Sequence, residues 1–117
     1  SMSDKTVLFG IKNCDSVKKA RDWFEERGVP YDFHDFRLDG LSKDQLQKWL
    51  DRVGADVLIN NRSTTWKQLN EKDQKLAMGK TAAAVVLANP TLIKRPVVEM
   101  KGQLIVGYKP EDYEQLL

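Results

Sequence analysis

The sequence predicts an α/β domain in which a βαβ unit and a ββα unit flank a helical insertion. Three observations indicate this fold: a strand-helix-strand pattern over residues 6–36, helical stripes over residues 41–89, and a strand-turn-strand-helix pattern over residues 96–117. No repeat or linker is visible, and 117 residues suit one hydrophobic core. We therefore expect a single domain, 1–117, with the insertion at about 41–89.

The βαβ unit is predicted from its apolar spacing. Residues 6–9 form a short apolar run, and residues 31–36 alternate aromatic with polar side chains, which is typical of strands. Asp15 or Ser16 is expected to begin the intervening helix, and Gly28 to end it. Four apolar residues share one face of this helix: Val17, Ala20, Trp23 and Phe24. A strand, a helix of this length and a second strand favour parallel pairing.

The insertion is predicted to be mostly helical. A capping box at Ser42 precedes a helical stripe, and residues 56–59 favour a further turn. Residues 60–65 are polar and typical of a loop, whereas Asn70 is a candidate helix cap. Residues 80–89 are expected to form a helix that ends at the following proline.

The ββα unit closes the chain. Residues 96–100 and 103–106 favour strands, and Lys101-Gly102 between them is typical of a hairpin turn. Residues 110–117 are expected to form a short helix with proline in its first turn.

Composition excludes several functional classes. Acidic and basic residues are interleaved and the net charge is only +2, which argues against a nucleic-acid binder. No apolar run approaches the ~20 residues needed to cross a bilayer, and no signal peptide is visible, so we expect no membrane partner. A single cysteine suits a reducing compartment, so a cytoplasmic location is expected. One cysteine and one histidine cannot form an internal disulfide or a typical zinc site, so no metal is expected.

Cys14 is the candidate reactive residue. It lies just before the first predicted helix, where unpaired N–H groups and the positive end of the helix dipole converge. Lys12 and Lys18 are close enough in sequence to stabilise a thiolate, and such surroundings lower a cysteine pKa from about 8.5. A lone cysteine is also commonly a small buried apolar side chain, so both interpretations stay open here.

Other candidates have equally simple structural interpretations. Arg95-Pro96 is either an ordinary strand start or a cis-proline beside a thiol-binding site. Arg62 and Lys109 are either ligand-binding cations or solvated surface charges. His34 lies within a predicted strand and is interpreted as structural rather than as a general base.

Four segments together resemble the arsenate reductase (ArsC) family, and its YffB-like branch in particular. They are FGIKNCDSVKKA at residues 9–20, YDFHDF at 31–36, NRSTTW at 61–66 and IKRPV at 93–97. The resemblance extends over essentially the whole chain from Thr6 and implies a thioredoxin-like fold with a helical insertion. It also implies a nucleophilic Cys14 and a redox cycle coupled to glutathione or glutaredoxin.

The resemblance also implies a binding site. Arg95 corresponds to an oxyanion-binding arginine and Pro96 to the cis-proline of the fold. The family's arsenate reductases use two further arginines; these positions hold Asn60, with Arg62 two residues away, and Lys109. Lysine lacks the bidentate fork of arginine, so arsenate is expected to be a poor substrate. The residues expected to bind substrate or glutathione are Lys12, Asn13, Arg62, Arg95, Pro96 and Lys109.

The sequence thus favours a glutathione-dependent thiol reductase with one nucleophilic cysteine. No bound cofactor is expected, glutathione is the co-substrate, and the partners are glutathione, glutaredoxin and a small-molecule or thiol substrate. The alternative is an Spx-like regulator that contacts RNA polymerase and has a non-catalytic cysteine. Spx proteins typically carry a Cys-x-x-Cys switch, but the second position here is Val17.

Overall fold

The computed structural model describes residues 5–117, so the first four residues of the predicted domain lie outside the described part. The described chain forms two compact units: one comprises the chain up to Asp39 and from Arg95 onwards, and the other comprises Gly40–Lys94. In chain order the elements are β1 (Val7–Gly10), α1 (Asp15–Glu26), β2 (Asp32–Asp35), α2 (Lys43–Val53), α3 (Ala55–Leu58), α4 (Thr64–Gln68), α5 (Glu71–Ala77), α6 (Ala83–Ala88), a 3₁₀ helix (Pro90–Leu92), β3 (Val97–Met100), β4 (Gln103–Val106) and α7 (Pro110–Gln115).

Within residues 5–117, four strands form one mixed sheet in the order β2-β1-β3-β4. β1 runs parallel to β2 and antiparallel to β3, and β3 pairs with β4 as a hairpin. The turn of this hairpin places Lys101 at φ 48° and Gly102 at φ 77°, the two positive values that a two-residue type I′ turn requires. The predicted α/β fold class, with its βαβ and ββα units, is confirmed.

The core of the first unit lies where α1 packs on the sheet. The predicted apolar face of α1 is buried: Val17, Ala20, Trp23 and Phe24. Tyr113 of α7 packs against this face, with its ring 5.3 Å from that of Trp23 and 5.2 Å from that of Phe24. The Tyr113 hydroxyl donates a hydrogen bond to the Gly107 carbonyl at 2.8 Å, and burial raises the pKa of Tyr113. These contacts pack α1 against α7 in the core of the first unit.

Gly10 ends β1 where α1 approaches most closely. A Cβ atom at this position would lie 2.6 Å from Cγ2 of Val17, well inside van der Waals contact. The absence of a side chain at Gly10 therefore allows the first turn of α1 to pack directly over the end of β1.

The second unit is the predicted helical insertion. Ser42 caps α2 as predicted, because its hydroxyl accepts a hydrogen bond from the Gln45 amide at 3.0 Å, and Asn70 caps α5 in the same way. α2 buries Leu46, Trp49 and Leu50.

Two predicted boundaries in this unit are wrong. Residues 60–65 are not entirely loop, because Ser63 accepts a hydrogen bond from the Trp66 amide and begins α4. The helix predicted over residues 80–89 is restricted to Ala83–Ala88. Ala82 at its N-terminus has no side chain that can cap it, and the preceding residues form turns instead.

Within residues 5–117, no helix combines the length and the apolar character that crossing a bilayer requires.

Candidate active site at the start of the first helix

Cys14 occupies the N-cap position of α1. Its backbone is extended, with φ −130° and ψ 124°, and its carbonyl accepts the first helical hydrogen bond from the Lys18 amide at 3.0 Å. The side chain is half-buried. The sulfur is therefore reachable from solvent while it faces the unpaired amides of the first turn.

In the described part of the chain, three hydrogen-bonding groups face the sulfur. The Ser16 hydroxyl lies 3.3 Å from Sγ, the Val17 amide donates a hydrogen bond to it, and so does the Arg95 side chain. Partial burial alone would raise the pKa of the Cys14 thiol. The hydrogen bonds from Ser16, Val17 and Arg95, together with the positive charge of Arg95, outweigh burial and lower that pKa. These polar contacts favour the interpretation of Cys14 as a reactive thiol, while the same side chain also packs against the apolar core of the first unit.

Arg95 lies beside the cysteine, as the resemblance implied. The Ser16 hydroxyl donates a hydrogen bond to the Arg95 carbonyl at 3.1 Å, which ties the start of α1 to the segment before β3. The Arg95-Pro96 peptide bond is cis, which confirms the prediction, and Pro96 is buried. Two segments about 80 positions apart in the sequence thus meet at one sulfur.

Asp35 positions the loop that leads to Cys14. This carboxylate is 4% exposed and accepts hydrogen bonds from the amides of Lys12 at 3.2 Å, Arg37 at 2.9 Å and Leu38 at 3.3 Å. Three charge-assisted bonds compensate for its burial. Asp35 pairs with Gly10 in the parallel register, so it borders the point where the cysteine loop leaves the sheet.

The places of Ser16 and Asp35 at the site were not predicted from the sequence. A signal for Asp35 was available, because the carboxyl ends of parallel strands lie at the same edge of a sheet. A signal for Ser16 was its place in the first turn of a helix that begins next to a cysteine. A hydroxyl at that place can form a hydrogen bond with a group that binds at the helix N-terminus.

The other predicted site residues are less closely tied to the sulfur. Lys12, Asn13 and Lys18 are exposed, and the stabilisation of the thiolate by the two lysines stays a prediction. Lys109 is exposed at the N-cap of α7. Arg62 belongs to the second unit, where its amide donates a hydrogen bond to the Asn60 side chain at 3.0 Å.

His34 packs against an aromatic ring of the neighbouring strand. Its ring lies 5.0 Å from that of Phe9, with an interplanar angle of 50°. This packing agrees with its interpretation as a structural residue.

Comparison with known proteins identifies the relatives of this chain. The sequence model of the ArsC family matches residues 9–116. The solved structure of a YffB protein has a TM-score of 0.90 and 40% sequence identity, and the match covers 97% of this chain and 99% of that one. An arsenate reductase (ArsC) related protein from Brucella melitensis has a TM-score of 0.75 and 40% identity, covering 98% of this chain and 96% of that one.

A curated relative belongs to a different functional class. The global transcriptional regulator Spx of Staphylococcus haemolyticus is 30% identical over 113 residues, which are 95% of this chain and 86% of the regulator. Together with the sheet order, the structural matches confirm the predicted thioredoxin-like fold with a helical insertion.

Proposed function

The chain belongs to the ArsC family, and from that premise we propose that it is a glutathione-dependent thiol reductase whose single nucleophile is Cys14. Family membership and the similarity to an arsenate-reductase-related protein support an oxidoreductase of the arsenate-reductase-like kind. The observation that carries the proposal is the set of three donors on the Cys14 sulfur, because they favour the thiolate and the thiolate is the attacking form of cysteine.

The proposed cycle has two thiol–disulfide exchange steps. In the first, the Cys14 thiolate attacks the glutathionyl sulfur of a mixed disulfide between glutathione and a substrate thiol. The new Cys14–glutathione bond forms as the substrate leaves as a thiolate. In the second, a glutathione thiolate attacks the glutathionyl sulfur of this adduct, releasing the Cys14 thiolate and oxidised glutathione. The substrate is reduced by two electrons, and glutathione supplies them.

Arg95 has two functions in this cycle. Its hydrogen bond and charge stabilise the Cys14 thiolate both before attack and when it is released. The same guanidinium suits a carboxylate of glutathione or an anionic substrate. We propose that Lys12, Asn13 and Lys109 bind the glutathione carboxylates around it. A role for Arg62 in binding stays a prediction from the sequence.

The partners follow from the need for an external thiol. Glutathione, or glutaredoxin that carries glutathione-derived electrons, releases the adduct, because Cys14 is the only cysteine of the chain and cannot be resolved internally. A reducing cytoplasm is the compartment in which this cycle would run.

Mass spectrometry of the intact protein tests the proposal. Incubation with oxidised glutathione is expected to add one glutathionyl group to the wild type, and excess reduced glutathione is expected to remove it. The Cys14→Ser variant is expected to form no adduct and to have no reductase activity while keeping its fold, because a serine hydroxyl forms no mixed disulfide. Turnover by Cys14→Ser at the wild-type rate would refute the assignment.

Arsenate is expected to be a poor substrate. The family's arsenate reductases use arginines at three positions, and in this chain only one of these positions, Arg95, holds arginine. Steady-state assays with arsenate, glutathione and glutaredoxin are expected to give a kcat well below about 1 s⁻¹. A kcat at or above that value would contradict this expectation.

The similarity to Spx supports a second candidate, a regulator that contacts RNA polymerase with a non-catalytic cysteine. Affinity capture of RNA polymerase by both the wild type and Cys14→Ser, without adduct formation, would favour the regulator. Adduct formation without capture would favour the reductase.

A further inference from the structure

The Ser16 hydroxyl lies between two acceptors that it cannot serve at once. Its Oγ atom is 3.3 Å from the Cys14 sulfur and 3.1 Å from the Arg95 carbonyl oxygen. A serine hydroxyl has one hydrogen to donate and two lone pairs with which to accept. A carbonyl oxygen and a thiolate sulfur both accept hydrogen bonds and donate none. The hydroxyl hydrogen therefore points to one of them at any moment.

Two arrangements of this hydrogen satisfy every group. When Cys14 is a thiol, its S–H donates to Ser16 Oγ, and the Ser16 O–H donates to the Arg95 carbonyl. When Cys14 is a thiolate, the Ser16 O–H turns to the sulfur. A hydrogen bond to a charged acceptor is about twice as strong as one to a neutral acceptor, so the hydroxyl follows the charge.

We propose that Ser16 is a catalytic residue whose hydroxyl hydrogen moves between the Arg95 carbonyl and the Cys14 sulfur each time that sulfur gains or loses its negative charge. No proton is transferred by this movement; the O–H bond rotates and only its acceptor changes. In the mixed disulfide the sulfur is neutral, and the hydroxyl returns to the carbonyl.

The consequence for the reaction rests on the proposed reductase function. Before attack, the Ser16 hydroxyl raises the fraction of Cys14 present as thiolate. When a second thiol resolves the adduct, Cys14 becomes the leaving group, and the hydroxyl stabilises the charge that develops on it. A leaving thiol of lower pKa leaves faster, so one side chain assists both half-reactions.

Other groups around the sulfur are unchanged by this movement. The Val17 amide of α1 and the Arg95 guanidinium of the segment before β3 face the sulfur, whereas Asp15, Lys12 and Lys18 are exposed nearby. Removing the Ser16 hydroxyl alone leaves these charges in place. A change in the titration of Cys14 in such a variant then reports the hydroxyl.

The rate of Cys14 alkylation against pH tests the inference without requiring reductase activity. Ser16→Ala is expected to raise the midpoint by about one pH unit, the difference between a charged and a neutral hydrogen bond. Since intrinsic nucleophilicity rises with pKa with a Brønsted coefficient of about 0.4–0.5, the rate plateau above the midpoint rises about threefold, and the rate well below it falls about threefold. The two profiles therefore cross, which a merely structural loss would not produce.

Two further variants serve as controls. Ser16→Thr keeps a hydroxyl and is expected to restore the wild-type midpoint. Ser42→Ala removes the N-cap serine of α2, whose hydroxyl accepts a hydrogen bond from the Gln45 amide, and is expected to leave the profile unchanged. Alanine is the strongest helix former, so Ser16→Ala is expected to fold.

Resolution of the adduct provides a second measurement. The Cys14–glutathione adduct is prepared with oxidised glutathione and then reduced with dithiothreitol at one fixed pH. Ser16→Ala is expected to release the adduct severalfold more slowly than the wild type, because Cys14 is then the poorer leaving group.

The outcomes separate this inference from the proposed function. Profiles of Ser16→Ala and wild type that superimpose, equal release rates, or a uniform loss of rate at every pH would overturn the inference and leave a reactive Cys14 intact. A wild-type midpoint at or above about 8.5 without any glutathione adduct would instead refute the reductase, while the difference in midpoint between alanine and serine would still decide the role of Ser16.

Discussion

Replacing Arg95 by methionine is expected to raise the alkylation midpoint of Cys14. Arg95 contributes a hydrogen bond and a positive charge to the sulfur, and partial burial opposes both by favouring the neutral thiol. Methionine keeps much of the side-chain length but supplies neither donor nor charge. Without Arg95, burial is therefore opposed only by the donors on α1.

The magnitude follows from the strength of one charge-assisted hydrogen bond. Such a bond contributes about 1.5–3 kcal/mol, which corresponds to about 1–2 pH units at 1.36 kcal/mol per unit. Cys14 is only half-buried, so solvent screening reduces the effect to about one pH unit. Arg95→Lys keeps the charge but loses the planar guanidinium, so its alkylation midpoint is expected to lie between those of the wild type and Arg95→Met.

The assay is the rate of alkylation as a function of pH at two ionic strengths. The wild-type midpoint is expected to rise between about 10 mM and about 1 M salt, because the Debye length falls from about 30 to about 3 Å. The midpoint of Arg95→Met is expected to change less. Arg27→Met is the matched control, since it removes an exposed arginine just past the other end of α1, about 20 Å from Cys14 along the helix. An Arg95→Met midpoint equal to that of the wild type would refute the electrostatic argument.

Four other substitutions test separate parts of the site. The pKa of Cys14 is lowered in the folded state from the ordinary value of a free thiol, about 8.5, so its thiolate stabilises the protein above that ordinary value, and this stability is lost as the pH falls through the lowered value. The free energies of urea unfolding of wild type and Cys14→Ser under reducing conditions are expected to differ increasingly as the pH rises from about 6 to 9. Gly10→Ala is expected to cost about 1–3 kcal/mol in the free energy of unfolding, because the new Cβ would lie 2.6 Å from Val17; an unchanged denaturation midpoint would contradict the packing described. Asp35→Asn replaces a carboxylate that accepts hydrogen bonds from three amides by a group with one acceptor oxygen. We expect the free energy of unfolding to fall by about 1–3 kcal/mol and Cys14 to be alkylated more slowly. Unchanged stability together with an unchanged alkylation rate would rule out a positioning role for Asp35. Val17→Cys places a second thiol one helical turn after Cys14. After oxidation with glutathione disulfide, mass spectrometry is expected to show an intramolecular disulfide and no lasting glutathione adduct. A stable adduct at the wild-type level would show that the two thiols are too far apart to form a disulfide.

Periodicity in the sequence was enough to predict the elements of the first unit. The apolar face of α1 recurs at helical spacing, and Lys101-Gly102 is flanked by two runs rich in β-forming residues, so local pattern and tertiary structure agree. The ends of α4 and α6 were harder to predict. They depend on whether one side chain, such as Ser63, turns back to accept an amide hydrogen, and composition does not specify that.

The site was predictable only in part, for a similar reason. The place of Cys14 at a helix start follows from local pattern. Its contact with Arg95 joins residues about 80 positions apart, and the sequence indicated it through family resemblance alone. The hydroxyl of Ser16 acts through its distances to two atoms on different elements, and residue type alone does not provide such distances.

Under the proposed function, Val17 explains why the reductase cycle would need an external thiol. Its amide donates to the Cys14 sulfur, but its side chain is 1% exposed and fills the space over Gly10. One residue thus supplies a donor from its backbone and a core contact from its branched side chain. In a Cys-x-x-Cys protein the same position holds the thiol that releases the adduct. Here position 17 holds a core-packing valine and Cys14 is the only cysteine, so the chain has no thiol of its own to release an adduct. The electrons that complete a reductase cycle would therefore have to come from another molecule.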